Sequence, residues 1–260
     1  MVELGRMSNP TALITGATAG IGLAFAQQLA SRGHDLILVA RDEARLDGVS
    51  KDLTAAHGIT VETLRADLGD RDGQRVVEAR LADADRPVDL LVNNAGHGLK
   101  NHFLDNTTDE ETAMAEVLIT APLRLSHAAL GAQVARGHGG IINVGSVASY
   151  LPRGTYSAAK AWINSFTEWA HNEYAGNGIK VMALLPGFTK TEFHQRLGSG
   201  HDSAPAWMWL NVDDLVREAL DDYDDNKTFS IPSKRYKTLA TLARVVPSGV
   251  LQKFQSLGRK

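Results

Sequence analysis

Short apolar segments alternate with longer segments of mixed polarity along most of the chain. The short segments are rich in Val, Ile and Leu, which is typical of strands buried on both faces of a sheet. The longer segments carry helix-forming residues with apolar positions on one side, and several of them end at Gly. The predicted strands are Thr11–Thr15, Asp35–Ala40, Thr60–Arg65, Val88–Val92, Gly140–Val144, Lys180–Leu185 and Phe229–Ile231. The predicted helical regions are Ile21–Arg32, Asp42–His57, Arg71–Asp83, Asp109–Ala135 and Thr155–Ala175.

This alternation predicts an α/β protein in which a parallel sheet is covered by helices on both faces. The units follow one another without a linker rich in Pro, Gly or Ser. Residues 10–260 are therefore expected to form one domain, preceded by a loose extension of residues 1–9.

Composition narrows the class of protein. Hydrophobic residues make up 43% and charged residues 22% of the 260 residues, which excludes global disorder. The net charge of −3 argues against a nucleic-acid partner, because no excess of cations is available to neutralise phosphates. The absence of cysteine excludes disulfides and thiolate chemistry. With no apolar run long enough for a membrane span and no signal peptide, the chain is expected in the cytoplasm.

A glycine-rich turn follows the first predicted strand. Gly16, Gly20 and Gly22 are spaced so that the backbone can turn tightly and approach a pyrophosphate. The helix that follows would present free N–H groups and the positive end of its dipole to that anion. Glycine-rich turns also close ordinary strand–helix units, so this motif alone leaves both interpretations open.

The end of the second strand bears on the choice of dinucleotide. Arg41 offers a guanidinium group that can pair with a 2′-phosphate, which favours NADP(H). Asp42 is an acid near the position expected for the ribose-binding carboxylate of an NAD site, so NAD(H) stays open. The plain alternative for Arg41 is an exposed charge at the start of a helix.

A tyrosine and a lysine are four positions apart in the predicted helix Thr155–Ala175. Tyr156 and Lys160 therefore point to the same side. A Lys ammonium beside a phenol stabilises the phenolate and lowers its pKa, which gives an acid and base suited to a carbonyl oxygen. Ser146, at the end of the fifth strand, could hold the same oxygen. Taken alone, such a pair is more often an ordinary surface feature.

Five motifs come in sequence, each just past a predicted strand. Because ligands bind at the carboxyl ends of the strands in an open parallel sheet, these motifs would meet at one edge. They are Thr15–Gly22, Asn93–Gly96, Ser146, the pair Tyr156 and Lys160, and Pro186–Gly187. With this set, the sequence resembles the short-chain dehydrogenase/reductase family from about Thr11 to Phe229.

The resemblance implies one doubly wound Rossmann-type sheet of seven strands in the order 3-2-1-4-5-6-7, with helices on both faces, a helical lid and a C-terminal tail. It implies that Tyr156 is the general acid/base, that Lys160 tunes it and binds the nicotinamide ribose, and that Ser146 positions the substrate carbonyl. Asn93 would brace the central strand, and Asp67 would contact the adenine. The residues assigned to the cofactor are Gly16, Thr18, Gly20, Ile21, Gly22, Arg41, Asp67, Leu68, Asn94, Ala95, Gly96, Tyr156, Lys160, Pro186, Gly187, Thr189 and Thr191.

Two features depart from the family pattern. Leu118 stands where members usually carry an Asn that stabilises a helix kink and takes part in a proton relay, so the water chain is expected to differ. Ser146 and Tyr156 are ten positions apart, a few fewer than in most members, which should widen or reshape the substrate site. Ser149 is a second candidate for the role of the serine.

In this family the segment after the Pro-Gly motif forms a lid over the substrate, here residues 188–211. Its large side chains either suit a mostly apolar ligand or pack the lid onto the domain. They are Phe188, Phe193, Trp207, Met208 and Trp209. In this region His194, His201 and Asp202 lack a spacing typical of metal ligands. His97 and His102, which follow Asn93–Gly96, are expected at the surface. No metal site is therefore predicted.

Charges separate towards the C-terminus. Asp213–Asp225 holds seven acids, whereas eight basic residues and no acid occur from Lys227 onward. Residues 233–260 are thus a basic amphipathic tail, which either packs over the lid or at a subunit contact, or lies on an anionic membrane surface. Trp162, Phe166 and Trp169 recur on the helix that carries Tyr156. Since this helix often forms dimer interfaces in the family, a homodimer or homotetramer is expected.

These features together predict an oxidoreductase that interconverts a ketone or aldehyde and an alcohol with NADP(H). Its substrate is expected to be a small, mostly apolar molecule. Two alternatives stay open. One is the same chemistry with NAD(H), and the other is a non-catalytic dinucleotide-binding regulator, which Leu118 motivates.

Overall fold

Seven parallel strands form one sheet in the order β3-β2-β1-β4-β5-β6-β7, which confirms the predicted topology. The computed structural model of the chain describes residues 9–193 and 204–245. The strands are β1 (Thr11–Thr15), β2 (Asp35–Ala40), β3 (Val61–Arg65), β4 (Leu90–Asn93), β5 (Gly139–Val144), β6 (Ile179–Leu184) and β7 (Phe229–Ser230).

The five predicted helical regions are helical in the structure, whereas the helix Val212–Asp224 was not predicted. Asp42 caps α2, because its carboxylate accepts a hydrogen bond from the Arg45 N–H. The predicted helical region Asp109–Ala135 is two helices joined by a π-helical turn at Glu116–Thr120. The helices are α1 (Gly20–Ser31), α2 (Glu43–His57), α3 (Arg71–Leu81), α4 (Thr108–Ala115), α5 (Ala121–Arg136), α6 (Thr155–Tyr174), α7 (Val212–Asp224) and α8 (Lys234–Val245).

Successive residues of the central strands point to opposite faces of the sheet and bury two hydrophobic cores. Ile14 lies in the core formed with α1, α2 and α7, and Phe25 and Leu215 are among its members. Leu13 lies in the core formed with α3, α5 and α6, together with Leu125. Burial of each large aliphatic side chain stabilises the fold by about 1.5–3 kcal/mol, and both cores hold the strands in register.

The sheet places its site-forming segments at one edge. Because all seven strands are parallel, the segments after β1, β4, β5 and β6 leave from the same carboxyl edge. Within the described part of the chain, no helix is both long and apolar enough to cross a membrane.

Candidate active site

The glycine-rich turn after β1 has a backbone that only glycine adopts readily. Gly16 and Gly20 have φ values of 66° and 55°, in the left-handed region. At Gly22, a Cβ atom would lie 2.3 Å from the Gly16 carbonyl oxygen and 2.4 Å from the Asn94 amide nitrogen. The turn therefore packs so tightly that a side chain at Gly22 has no space.

Asn94 and Thr15 fix this turn to the next strand. The Asn94 side-chain amide donates to the carbonyl oxygens of Thr15 (2.8 Å) and Gly16 (3.2 Å). The Thr15 hydroxyl accepts the backbone N–H groups of Asn94 and Ala95, each at 3.0 Å. Thr15 opens the predicted motif Thr15–Gly22, but its role in holding Asn94 and Ala95 was not predicted.

A dinucleotide fits this concave edge. The turn offers bare backbone where a Cβ atom at Gly16 would lie 3.0 Å from Ala95, and one at Gly20 would lie 3.1 Å from the Thr191 side chain. Helix α1 begins at Gly20 after Ala19, whose side chain cannot cap the first N–H groups. Free N–H groups and the positive end of the helix dipole are the usual partners of a pyrophosphate.

Arg41 and Asp67 lie together at the outer end of the edge. The Arg41 guanidinium is 3.7 Å from the Asp67 carboxylate, and its side chain is 74% exposed. The second Asp67 oxygen accepts the Gly69 N–H at 2.9 Å. Such an exposed pair contributes little to stability, so Arg41 is available to an anion. Of the other predicted cofactor residues, Leu68 and Ile21 pack against the two cores.

Arg45 links the turn to the beginning of the lid. Its guanidinium makes a bidentate pair with Glu192 at 2.8 and 3.2 Å and donates to the Thr18 carbonyl oxygen at 3.1 Å. Sequence reasoning missed this contact, because Arg45 and Glu192 are far apart in the sequence and neither belongs to a recognised motif.

Ser146, Tyr156 and Lys160 come together between the carboxyl end of β5 and the first turns of α6, as their order in the sequence predicted. A hydrogen bond joins the Ser146 and Tyr156 side chains. The Lys160 ammonium lies 5.8 Å from the centre of the Tyr156 ring and donates to the Val144 carbonyl oxygen at 2.7 Å. It also lies 3.9 Å from the position of a Cβ atom on Gly96, so the group faces the cofactor edge.

Burial sets the titration of this group. The sequence predicted a lowered pKa for Tyr156, whereas burial raises its pKa to about 12, with the Ser146 hydrogen bond acting in the opposite direction. Burial also lowers the pKa of Lys160 to about 8. At neutral pH, Tyr156 is thus protonated and Lys160 is mostly cationic, an arrangement that can donate a proton to an oxygen.

Leu118 forms part of the apolar wall behind this group. It is fully buried and clusters with Met114 and Ala159 against Tyr156. A Cβ atom on Gly96 would lie 2.8 Å from its Cδ2 atom. A hydrocarbon wall here excludes water, which explains why burial dominates both pKa shifts.

The helix kink that family members stabilise with an Asn is present here, although Leu118 takes the place of that Asn. The π-helical turn Glu116–Thr120 lies at this position. Pro122 lies in the first turn of α5, and because proline has no N–H, it cannot donate to the Leu118 carbonyl oxygen four residues earlier. We attribute the kink to Pro122, a cause that the sequence already contained.

Ser149 supports the catalytic turn rather than the reacting oxygen. Its hydroxyl donates to the Ser146 carbonyl oxygen at 2.6 Å and accepts from the Asn164 side chain at 2.8 Å. The serine turn, Val147–Tyr150, is a short 3-10 helix that Ser146 caps by accepting the Ala148 N–H. These contacts favour Ser146 over Ser149 for the predicted role.

The Pro-Gly segment, Pro186–Thr191, closes the site from the β6 side. The Pro186 carbonyl oxygen accepts the Val147 N–H at 3.0 Å, which ties the segment to the serine turn. Thr189 is buried, and its hydroxyl donates to the Gly187 carbonyl oxygen at 3.0 Å. Thr191 contacts Gly20, so the segment spans the edge from the serine turn to the glycine-rich turn.

The described lid residues divide between the two predicted roles. Phe188 and Trp209 pack on each other with ring centres 5.5 Å apart, which holds the two ends of the lid together. The Phe193 ring instead lies with its centre 6.1 Å from that of the Tyr156 ring. His194, His201 and Asp202 lie outside the described residues, His97 and His102 are exposed, and no cluster of metal-binding side chains occurs within the described ranges.

Comparison with known families decides the class of the protein. The sequence profile described as short chain dehydrogenase matches residues 10–202. The chain belongs to the short chain dehydrogenase family. It is therefore an NAD(P)-dependent oxidoreductase of the class that acts between alcohols and carbonyl compounds.

Several similar proteins illustrate the relationship. A short-chain dehydrogenase from Sphingobium yanoikuyae, solved with NADPH, is 35% identical with a TM-score of 0.84, over 94% of this chain and 95% of that one. The bulky-bulky ketone specific alcohol dehydrogenase from Comamonas testosteroni is 31% identical with a TM-score of 0.80, over 95% of each chain. A very-long-chain 3-oxoacyl-CoA reductase from Bos taurus is 26% identical over 91% of this chain. This chain spans 75% of that protein and 60% of the protein of the same name from Anas platyrhynchos.

Proposed function

We propose that this short chain dehydrogenase uses NADP(H) to interconvert a mostly apolar ketone or aldehyde and its alcohol. The observation that carries the proposal is the meeting of Ser146, Tyr156 and Lys160 beside Gly96, in the segment that Asn94 ties to the glycine-rich turn. A proton donor, a hydroxyl partner and a cation then surround one oxygen position at the edge where a dinucleotide fits.

In this proposal, different residues of the chain bind different parts of the cofactor. The backbone of Gly16, Gly20 and Gly22 holds the pyrophosphate, Lys160 holds the nicotinamide ribose, and Thr189 holds the carboxamide. When bound, the dinucleotide supplies or accepts a hydride at its nicotinamide ring. Bringing substrate and cofactor together at fixed distance supplies the proximity term of the rate enhancement.

Tyr156 transfers the proton in both directions. During reduction its hydroxyl gives a proton to the substrate oxygen, which Ser146 holds by a hydrogen bond. Lys160 stabilises the phenolate that is left, because its positive charge lies close to the Tyr156 ring. The hydrocarbon wall around Leu118 keeps water away and strengthens this interaction.

NADP(H) is favoured over NAD(H) by Arg41. Its exposed guanidinium stands at the end of β2, where a 2′-phosphate would lie, and only the Asp67 carboxylate lies near it among the described ion pairs. The similar protein from Sphingobium yanoikuyae was solved with NADPH. Both observations support the phosphorylated cofactor.

A bulky ketone is the substrate class that the site favours. The connection between Ser146 and Tyr156 is short, which leaves more room on that side of Tyr156. Phe193 supplies an aromatic wall on another side. The similarity to the bulky-bulky ketone specific enzyme from Comamonas testosteroni supports the same class. The Bos taurus relative, named for acyl-CoA substrates, makes long 3-oxoacyl thioesters the second group to test.

The proposal is tested by NADPH oxidation with a panel of carbonyl compounds of increasing bulk. We expect turnover that is higher for ketones with two large substituents than for acetone or acetaldehyde. A preference for small aldehydes would contradict the substrate class. NADPH binding without turnover on the whole panel would contradict the proposed reaction and leave a dinucleotide-binding role.

The pH dependence of reduction should follow Lys160. Burial lowers the pKa of Lys160 to about 8, so the group is cationic below that pH and neutral above it. Tyr156, with a pKa raised to about 12, stays protonated throughout the neutral range. We therefore expect kcat/KM for reduction to fall as the pH rises through about 8. A profile measured at saturating NADPH that stays level from about pH 7 to about pH 10 would rule this out.

We also propose a homo-oligomer in the cytoplasm. Trp162, Phe166 and Trp169 form a row on α6, in which the first two rings are stacked with centres 5.1 Å apart and the next pair is tilted with centres 5.8 Å apart. Half of the Trp169 side chain is exposed, which suits a contact with a second copy. Light scattering of the purified protein measures this, and a monomer at micromolar concentration would contradict it.

A further inference from the structure

One tyrosine of the C-terminal helix joins segments that the sequence motifs left unconnected. Tyr236, on α8, is only 4% exposed. Its hydroxyl accepts the Phe188 N–H at 3.0 Å and donates to the Met208 carbonyl oxygen at 2.8 Å. A single oxygen thus ties the Pro-Gly segment to the last part of the lid.

The Tyr236 ring also lies against the backbone of Gly187. A Cβ atom at Gly187 would be 2.0 Å from the ring Cζ atom and 2.3 Å from each Cε atom. Glycine at this position is therefore required by contact with Tyr236 itself. The contact fixes the position of the Pro-Gly segment relative to the carboxyl edge of the sheet.

Further contacts hold the same two segments together. Leu210 donates its N–H to the Phe188 carbonyl oxygen at 2.8 Å, and its carbonyl oxygen accepts the Lys190 N–H at 3.1 Å. Both of the segments joined by these hydrogen bonds contact the Tyr236 hydroxyl. The two ends of the lid are thus joined at the Pro-Gly segment, close to Thr189.

Helix α8 is itself held firmly in place. Lys237 pairs with Glu218 at 2.7 Å, and Arg235 donates to the Trp207 carbonyl oxygen. The helix also packs beside the serine turn Val147–Tyr150, whose first N–H bonds to Pro186. Tyr236 therefore stands on a fixed support that touches both the serine turn and the Pro-Gly segment.

We propose that Tyr236 is a positioning residue for the nicotinamide half of the cofactor, an inference that rests on the proposed function. It acts through Gly187 and Phe188, which set the position of Thr189, and through Met208, which sets the position of the lid. The glycine-rich turn, which would hold the pyrophosphate, and Arg41, which would meet the 2′-phosphate, lie outside its contacts. Loss of the hydroxyl should therefore weaken one half of the cofactor site and spare the other.

The test compares two ligands on two variants. Tyr236→Phe removes only the hydroxyl. Tyr223→Phe is the matched control, because the Tyr223 hydroxyl also lies against a glycine, Gly140, but at the amino end of β5, away from the site. The ligands are NADPH and adenosine 2′,5′-bisphosphate, which lacks the nicotinamide half. Calorimetry gives both dissociation constants, and kcat is measured with the best ketone of the panel.

We expect Tyr236→Phe to weaken NADPH about tenfold, since two hydrogen bonds are lost, and to leave the bisphosphate unchanged within about twofold. Its kcat should also fall, whereas Tyr223→Phe should match the wild type in all three measurements. Equal loss for both ligands, or loss for neither, would overturn the role of Tyr236. Failure of the wild-type protein to bind either ligand would instead overturn the proposed function itself, and this inference with it.

Amide hydrogen exchange of the wild-type protein gives a second measurement that depends on no variant. NADPH should slow exchange of the Phe188 N–H more than adenosine 2′,5′-bisphosphate does, because only NADPH fills the nicotinamide half. Equal protection by both ligands would contradict the coupling. This result decides the question even if Tyr236→Phe does not fold.

Discussion

Replacement of Tyr156 by Phe is expected to lower kcat for ketone reduction by about 10²–10⁴-fold. The substitution removes the proton donor but keeps the ring that packs against Leu118 and Phe193. NADPH affinity should therefore change little, because Lys160 and the glycine-rich turn stay in place. Stopped-flow or steady-state NADPH oxidation, together with calorimetry on the same sample, separates the two effects.

Tyr174→Phe is the control for this variant. Tyr174 is the last residue of the same helix, whereas Tyr156 lies in its first turn. The Tyr174 ring packs edge-on against Trp169. Its activity should equal that of the wild type. Retention of more than about a tenth of kcat in Tyr156→Phe would show that another group, such as Ser146 or water, gives the proton.

Replacement of Gly22 by Ala should disrupt the cofactor site and the fold together. The new Cβ atom would meet the Gly16 carbonyl oxygen at 2.3 Å and the Asn94 side chain at 2.4 Å, so the glycine-rich turn must move. We expect the free energy of unfolding to fall by about 2 kcal/mol and NADPH affinity to fall by at least about tenfold. Chemical denaturation and calorimetry measure the two quantities.

Gly48→Ala is the matched substitution. Gly48 lies within α2, and a Cβ atom there meets nothing within 4 Å. Because Ala is the better helix former, this variant should gain about 0.5–1 kcal/mol and bind NADPH normally. If Gly22→Ala were as stable as Gly48→Ala and bound NADPH as tightly, the inference that the turn has no space for a Cβ atom at Gly22 would be contradicted.

The fold could be predicted from local pattern because each strand and helix carries its own signal. Continuous apolar segments such as Asp35–Ala40 and glycine stops such as Gly58 were sufficient to place most elements. The family resemblance then supplied the strand order, which the structure confirms. The kink at Leu118 was not predicted, because Leu118 replaces the family Asn, although Pro122 gives the kink a local cause that could have been identified from the sequence.

The supporting contacts of the site could not be predicted in this way. Tyr236 meets Gly187 and Phe188 about 48 positions away in sequence, and no periodic pattern marks such a contact. The pair of Arg45 and Glu192 joins residues separated by 147 positions. The direction of the Tyr156 pKa shift also depends on burial by distant residues such as Leu118, whereas the spacing of Tyr156 and Lys160 indicates only their mutual charge effect.

The preference for NADP(H) is tested most directly by calorimetric measurement of NADPH and NADH binding to the wild-type protein and to Arg41→Ala. Arg75→Ala, which removes an exposed arginine paired with Asp72 on α3, is the control. We expect the wild type to bind NADPH more tightly than NADH, and Arg41→Ala to weaken NADPH binding about tenfold or more without changing NADH binding. Equal affinity for both cofactors in the wild type, unchanged by Arg41→Ala, would contradict the assignment of NADP(H).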